Sequence, residues 1–142
     1  MLMRGKTMHN TPTNYGYVTI TFHWLAALSI FALFALGYYM VDLTYYHSWY
    51  KTAPALHKSV GVVLFTLMLA RLIWCYKQIT PEYLASHSTL ERKAGKLTHS
   101  ALYLLTFMAM ITGYLISTAD GRGIEVFGLL LIPSFGAFIE NQ

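Results

Sequence analysis

The chain has 142 residues, of which 56% are hydrophobic and only 11% are charged, whereas soluble domains have about 25% charged residues. This composition excludes an ordinary soluble domain and predicts an integral membrane protein. The net charge of +4 then indicates basic connectors on one side of a membrane, and no nucleic-acid partner is expected. The single cysteine excludes a disulfide within the chain and the CxxCH motif of covalently attached c-type haem.

Three stretches are long and apolar enough to cross a bilayer, which takes about 20 residues. They are residues 17–41, 54–76 and 97–118. The sequence therefore predicts an all-α fold, a helical bundle in the membrane with three transmembrane helices, in a single domain that covers residues 1–142. A fourth apolar stretch, 126–139, is too short to span, and we expect it to form an interfacial or re-entrant segment.

The basic residues of the connectors predict the orientation of the chain. Arg4 and Lys6 precede the first span. The second connector has the largest basic group, which consists of Arg71, Lys77, Arg92, Lys93 and Lys96. Cytoplasmic loops are rich in Lys and Arg. We therefore expect the N-terminus in the cytoplasm and the C-terminus outside.

Two histidines lie within the apolar spans, where an ionisable side chain is costly and suggests a functional site. His23 lies near the cytoplasmic side of the first span, and His57 lies near the outer side of the second. One helical turn after each comes a small residue, Ala27 or Gly61, and such a gap suits a flat porphyrin against a helix. Neutral imidazole is a good iron ligand. The pattern equally fits histidines that only hydrogen-bond neighbouring helices, at about 1 kcal/mol each.

Three further residues are candidates for cofactor binding. His99 opens the third span at the level of His23, and it fits an iron ligand, a hydrogen-bonding residue of a quinone site or a helix-end residue. Lys58 and Arg71 lie at membrane boundaries, where basic side chains reach lipid phosphates or pair with haem propionates. The other histidines are expected at the surface or the interface; they are His9, His47 and His87. No nucleophile arrangement or phosphate-binding motif is present, so no catalytic residue is predicted.

Three stretches of the chain resemble the prokaryotic cytochrome b561 family, which is related to the cytochrome b subunits of nickel–iron hydrogenases. They are FHW (22–24), LHKSVGVVLFTLMLARLIW (56–74) and GYLISTADGRGIEVFGLLLIP (113–133). The resemblance extends from about Tyr15 over nearly the whole chain. It implies a four-helix bundle in the bacterial inner membrane that holds haem b between histidines and passes electrons between a donor and quinone.

The same resemblance assigns roles to individual residues. It implies that His23 ligates haem iron on the cytoplasmic side and that His57 does so on the periplasmic side. In the family a fourth span supplies the opposing histidines, and this chain ends before such a span. We therefore expect a C-terminally incomplete bundle, in which His99 is the remaining candidate ligand at the cytoplasmic site. The expected partners are quinone or quinol, the lipid bilayer, and a redox donor protein or a second copy of the chain.

Other functions fit the same residues. One is a haem-free membrane scaffold or assembly subunit, whose histidines only connect helices, and another is a truncated fragment without function. A third is a small transporter with His23 and His57 along a polar path. A b-type band in the reduced-minus-oxidised spectrum distinguishes the cytochrome from the others.

Overall fold

The computed structural model describes residues 7–82 and 88–136. Three helices come first, and two short strands follow them. The helices are α1 (Tyr17–Val41), α2 (Thr52–Tyr76) and α3 (Thr89–Ser117), and the strands are β1 (Ile124–Val126) and β2 (Leu130–Ile132). By length and composition all three helices can cross a membrane. The predicted all-α membrane bundle is confirmed, with a small β-hairpin added after it.

The third helix begins eight residues before the predicted span, at Thr89. Its start is fixed by a capping box: the Ser88 side chain accepts from the Glu91 N–H, and the Glu91 carboxylate accepts from the Ser88 N–H at 2.7 Å. Such a box satisfies two backbone donors that would otherwise have no partner. Because the first two turns are polar, the apolar pattern predicted only the part of α3 within the membrane.

The helices pack mainly through α1 and α2, which meet over a small core of Ala26, Leu64 and Met68. Helix α3 has no buried residue and contacts α2 through an edge-to-face pair, Phe65 and Phe107, at 5.8 Å between ring centroids. Small residues such as Ala26 allow close approach of helices in lipid. The loose packing of α3 leaves a space between the three helices, which is described below.

The hairpin forms part of the segment 126–139 that was expected to be interfacial or re-entrant; residues 137–139 lie outside the described part of the chain. Its strands are antiparallel, with Val126 opposite Leu130. The turn contains two left-handed residues, Phe127 with φ 51° and Gly128 with φ 69°. Positive φ at both central residues of a turn matches the twist of the two strands that the turn connects.

Two side chains attach the hairpin to the helices. The Ser59 hydroxyl of α2 accepts from the Phe127 N–H at 3.0 Å. The same oxygen lies 3.2 Å from the Glu125 carbonyl and 2.9 Å from the Ala55 carbonyl. The Tyr114 hydroxyl of α3 donates to the Pro133 carbonyl at 2.7 Å. We call this end of the bundle the hairpin end.

At the opposite end, residues 7–16 form a strap against α1 and α2. Asn10 holds it: its Oδ1 accepts from the Thr19 hydroxyl at 2.8 Å, and its N–H donates to Gln78 Oε1 at 3.0 Å. His9 stacks on Trp74 at 5.2 Å between ring centroids. His9 is exposed as expected, but it is also part of a contact between the strap and α2. We call this the strap end.

Candidate functional site

A cavity of about 690 Å³ lies between the three helices at the hairpin end. Its walls are mostly apolar and come from all three helices and both strands; they include Ile30, Phe34, Val62, Phe65, Leu105, Met110, Ile124 and Ile132. Pockets for small molecules and cofactors usually measure ~300–1,000 Å³ and have such walls with a few polar groups. Both the size and the walls of this cavity therefore suit a large, mainly apolar ligand.

His57 supplies a polar group to this cavity. Its Nδ1 atom is buried and has no hydrogen-bond partner in the part of the chain that the structure describes. The ring packs against α1 where a Cβ added to Gly37 would lie 3.3 Å from His57 Cε1. A larger residue at position 37 would therefore press on the imidazole. Gly37 was not predicted as a site residue, because its contact with His57 depends on how α1 and α2 face each other.

Two glycines leave open space in the cavity wall. Gly61 of α2 and Gly113 of α3 both line the cavity, and no atom lies within 4 Å of a Cβ added to either one. Gly61 was predicted from its position one turn after His57. Gly113 was not, although a glycine in a transmembrane helix often marks a close approach. Together these gaps give a flat molecule access to the backbone on two walls.

A second cavity of about 890 Å³ lies beside the first and is more polar. Its lining includes Lys51, Asp120, Arg122 and Glu125. Lys58 lines both cavities, so its ammonium group can reach an anionic group at their boundary. The Arg122 N–H and guanidinium both donate to Asp120 and hold the pKa of that carboxyl below its usual range.

His23 lies at the strap end and is exposed. Its Nδ1 atom is 3.2 Å from Arg71 Nη2, and the Arg71 guanidinium lies 5.2 Å from the centre of the Tyr103 ring. Arg71 of α2 thus contacts His23 of α1 and Tyr103 of α3, and so links the three helices. His23 and Arg71, both predicted as site residues, are brought together, whereas Tyr103 was not predicted to take part.

Hydrogen bonds fix the tautomers of two histidines. Arginine can only donate, so His23 Nδ1 accepts and the proton of its neutral ring is on Nε2. A carbonyl can only accept, so His99, which is also exposed, donates from Nδ1 to the Gly95 carbonyl at 3.0 Å. This leaves a lone pair on His99 Nε2. A neutral imidazole binds metal through such a lone pair, while the other nitrogen donates to an acceptor.

The two histidines within the apolar spans lie at opposite ends of the bundle, His23 at the strap end and His57 at the hairpin end. His57 and Arg71 are about four turns apart on α2, roughly 21 Å at 1.5 Å per residue, and His23 lies beside Arg71. His87 falls outside the described residues, and His47 lies in the exposed connector before α2. Among the described residues, no three His, Cys, Asp or Glu side chains are grouped to hold a metal ion.

Two comparisons with known proteins point to the same family. The family model described as prokaryotic cytochrome b561 matches residues 14–140. Cytochrome b561 homolog 2 of Escherichia coli strain K12 is 47% identical over 125 residues, which make up 88% of this chain and 66% of that protein. The chain thus spans just under two thirds of the length of this relative. No solved structure matches the chain.

Proposed function

The chain belongs to the prokaryotic cytochrome b561 family, and from this premise we propose that it carries electrons across a bacterial membrane through haem b held by histidines. The porphyrin of haem already supplies four nitrogen ligands to the iron, so the protein needs to supply only the remaining ligands. A group of three or more protein ligands, as a bare metal ion would need, is therefore not required. The observation that carries the proposal is the cavity at the hairpin end, with His57 at its wall and gaps at Gly61 and Gly113.

At the hairpin end, each residue has a role that its surroundings support. His57 is the proposed axial ligand, because it lines the cavity and its Nδ1 atom has no partner among the described residues. Gly61 and Gly113 leave room for the porphyrin faces. The apolar walls exclude water, and Lys58 supplies a cation for a propionate at the boundary with the polar cavity. When bound, haem b supplies the one-electron redox chemistry.

At the strap end, we propose His23 as the axial ligand, with Arg71 and His99 as further cofactor-binding residues. Ligation through His23 Nε2 requires the ring proton to be on Nδ1. His23 Nδ1 could then no longer accept from the Arg71 guanidinium, and Arg71 would need another acceptor. A haem propionate is the acceptor that we propose for it. The lone pair on His99 Nε2 suits either an iron ligand or an acceptor for a quinol hydroxyl. This end is more open than the hairpin end, since His23 and His99 are both exposed.

The proposed partners of the chain are the quinone pool and a redox donor. Held by histidines of the chain, haem b would supply the transfer of one electron at a time. A quinol gives up its two electrons singly and therefore suits such a carrier.

The reduced-minus-oxidised visible spectrum of the purified protein tests the proposed function. We expect the band of b-type haem, with haem that is released by acidified acetone because it is not covalently attached. A protein that folds and inserts into membranes but has no such band would instead be a haem-free scaffold. A pyridine haemochromogen assay measures the number of haems per chain.

The orientation of the chain is tested with reporters, since the basic residues predict a cytoplasmic N-terminus. Arg92, Lys93 and Lys96 all lie in the polar first turns of α3, next to the membrane. Green fluorescent protein fused after Lys93 should fluoresce, and alkaline phosphatase fused after Arg122 should be active. The two reporters exchanged between these positions serve as controls and should both be inactive. The reverse pattern would place His23, not His57, on the outer side.

A further inference from the structure

The hairpin has an apolar tip, which we define as Phe127, Leu129 and Leu130. Their exposed fractions are 53%, 90% and 61%. Adjacent large apolar side chains that remain exposed usually mark a surface that contacts another molecule or a membrane. The tip also includes a non-glycine residue, Phe127, in the left-handed region.

The strand register determines the direction of the tip. Residues that pair across antiparallel strands have their side chains on the same face. Glu125 pairs with Leu131, and both line the polar cavity. Val126 pairs with Leu130 on the other face; Val126 is buried, whereas Leu130 is exposed. The face of Glu125 and Leu131 is therefore toward the polar cavity, whereas Ile124 and Val126 pack on the helices and only the tip of the hairpin extends past them.

The attachment of the hairpin to α2 determines its depth. Ser59 follows the first residue of α2, Thr52, by seven positions, or roughly 10 Å along the helix. The 25 residues of α2 make it about 37 Å long, compared with about 30 Å for the hydrocarbon core of a bilayer. Because Ser59 contacts Glu125 and Phe127 of the hairpin, the turn lies within roughly 10 Å of the end of α2, in the outer part of the membrane.

The backbone of the hairpin is suited to that depth. Backbone groups without a partner are not tolerated in hydrocarbon. The Ser59 hydroxyl interacts with two of them, the Glu125 carbonyl and the Phe127 N–H. The free edge of β2 still needs water, which limits the hairpin to the boundary between headgroups and acyl chains. At this boundary, backbone groups are hydrated while apolar side chains reach into lipid.

We propose that the hairpin tip inserts into the acyl–headgroup boundary of the leaflet at the hairpin end. Lipid is the occupant that the observations favour, because the tip lies at the level of the helix surfaces that face lipid. Residues 127–131, FGLLL, carry no charge, and Glu125 faces the polar cavity instead. Since Ile124 and Ile132 wall the apolar cavity, lipid would hold this wall in position. The tip would contact lipid in this way whether or not haem is bound.

Fluorescence quenching in phosphatidylcholine vesicles tests the insertion. In a Cys75→Ala background, Leu129→Cys is labelled with a bimane probe. We expect its emission at shorter wavelength than in water and a loss of intensity with lipids brominated high in the acyl chain. Lipids brominated near the chain end should quench it less, and iodide in the water should quench it weakly. Glu125→Cys, which lines the polar cavity, is the matched control, and Phe31→Cys, an exposed position within α1, is the control for deep lipid contact.

Each result supports or overturns the proposal. Strong quenching of the Leu129 probe by the shallow brominated lipid, with iodide quenching below that of the Glu125 probe, supports it. Equal iodide quenching at the two positions would show the tip in water. Protection from iodide and from both lipids would show that protein covers the tip, either a second copy or another segment, and would also overturn the proposal. A Ser59→Ala variant should raise iodide quenching at position 129, because it removes the attachment that sets the depth.

Discussion

Replacing His57 by alanine is expected to remove the haem at the hairpin end and to leave the haem at the strap end in place. The imidazole is the proposed iron ligand that this cavity supplies, and alanine offers no donor atom. The measurement is haem per chain in the purified protein, from the pyridine haemochromogen, together with the reduced-minus-oxidised spectrum. A histidine that only connected helices would instead give unchanged haem and a stability loss of about 1 kcal/mol.

A second substitution tests the same site while the imidazole stays in place. Gly61→Leu puts a side chain into the open space at the cavity wall, so it should also remove the haem at the hairpin end. The matched control is Gly95→Leu, because a Cβ at Gly95 meets no atom within 4 Å either, yet Gly95 is not among the residues that line the cavity. If Gly61→Leu and Gly95→Leu both keep full haem content, the cavity is not the haem site.

His23→Ala is expected to have the complementary effect: loss of the haem at the strap end, with the haem at His57 unchanged. The two places are roughly 21 Å apart along α2, so removal of one ligand should not disturb the other. The measurement is again haem per chain. A redox titration of the haem band should show two components in the parent protein and one in the variant. Loss of both haems, or of neither, would contradict the assignment of one haem to each end.

His99→Ala resolves the role of the neighbouring histidine. If His99 Nε2 is the second ligand at the strap end, this variant should give a high-spin spectrum or lose the same haem as His23→Ala. If His99 only donates to the Gly95 carbonyl, haem content and spin state should match the parent protein. His47→Ala is the control, since His47 lies in an exposed connector and should have no effect.

The helices were predictable because each spans a bilayer with apolar residues; α1 begins and ends at the predicted residues, and α2 begins two residues early. The pairing of residues across helices was not predictable to the same degree. When a helix is apolar on all sides, its periodicity does not show which face points inward. For this reason His57 and Gly61, which are neighbours on one helix, were predicted from the sequence as candidate site residues, whereas Gly37 and Gly113 on facing helices were not.

The hairpin was missed for a different reason. Its strands are only three residues long, and an apolar segment that short has no clear period. What holds them is Ser59, which is more than sixty positions earlier in the chain. A contact of that range depends on tertiary packing and leaves no local signal. The strap at the other end depends in the same way on Gln78 and Trp74.

These two long-range attachments imply an order of assembly. Helices form from local contacts, while contacts between distant residues form slowly because a long loop must first close. The strap is made before α2, yet its contacts with Gln78 and Trp74 cannot form until α2 has emerged from the ribosome. The hairpin is made after α2, so Ser59 is already in the membrane when it arrives. The strap and the hairpin should therefore attach only after α2 has inserted into the membrane. Helix α2 must be in place before either end of the bundle can complete its contacts.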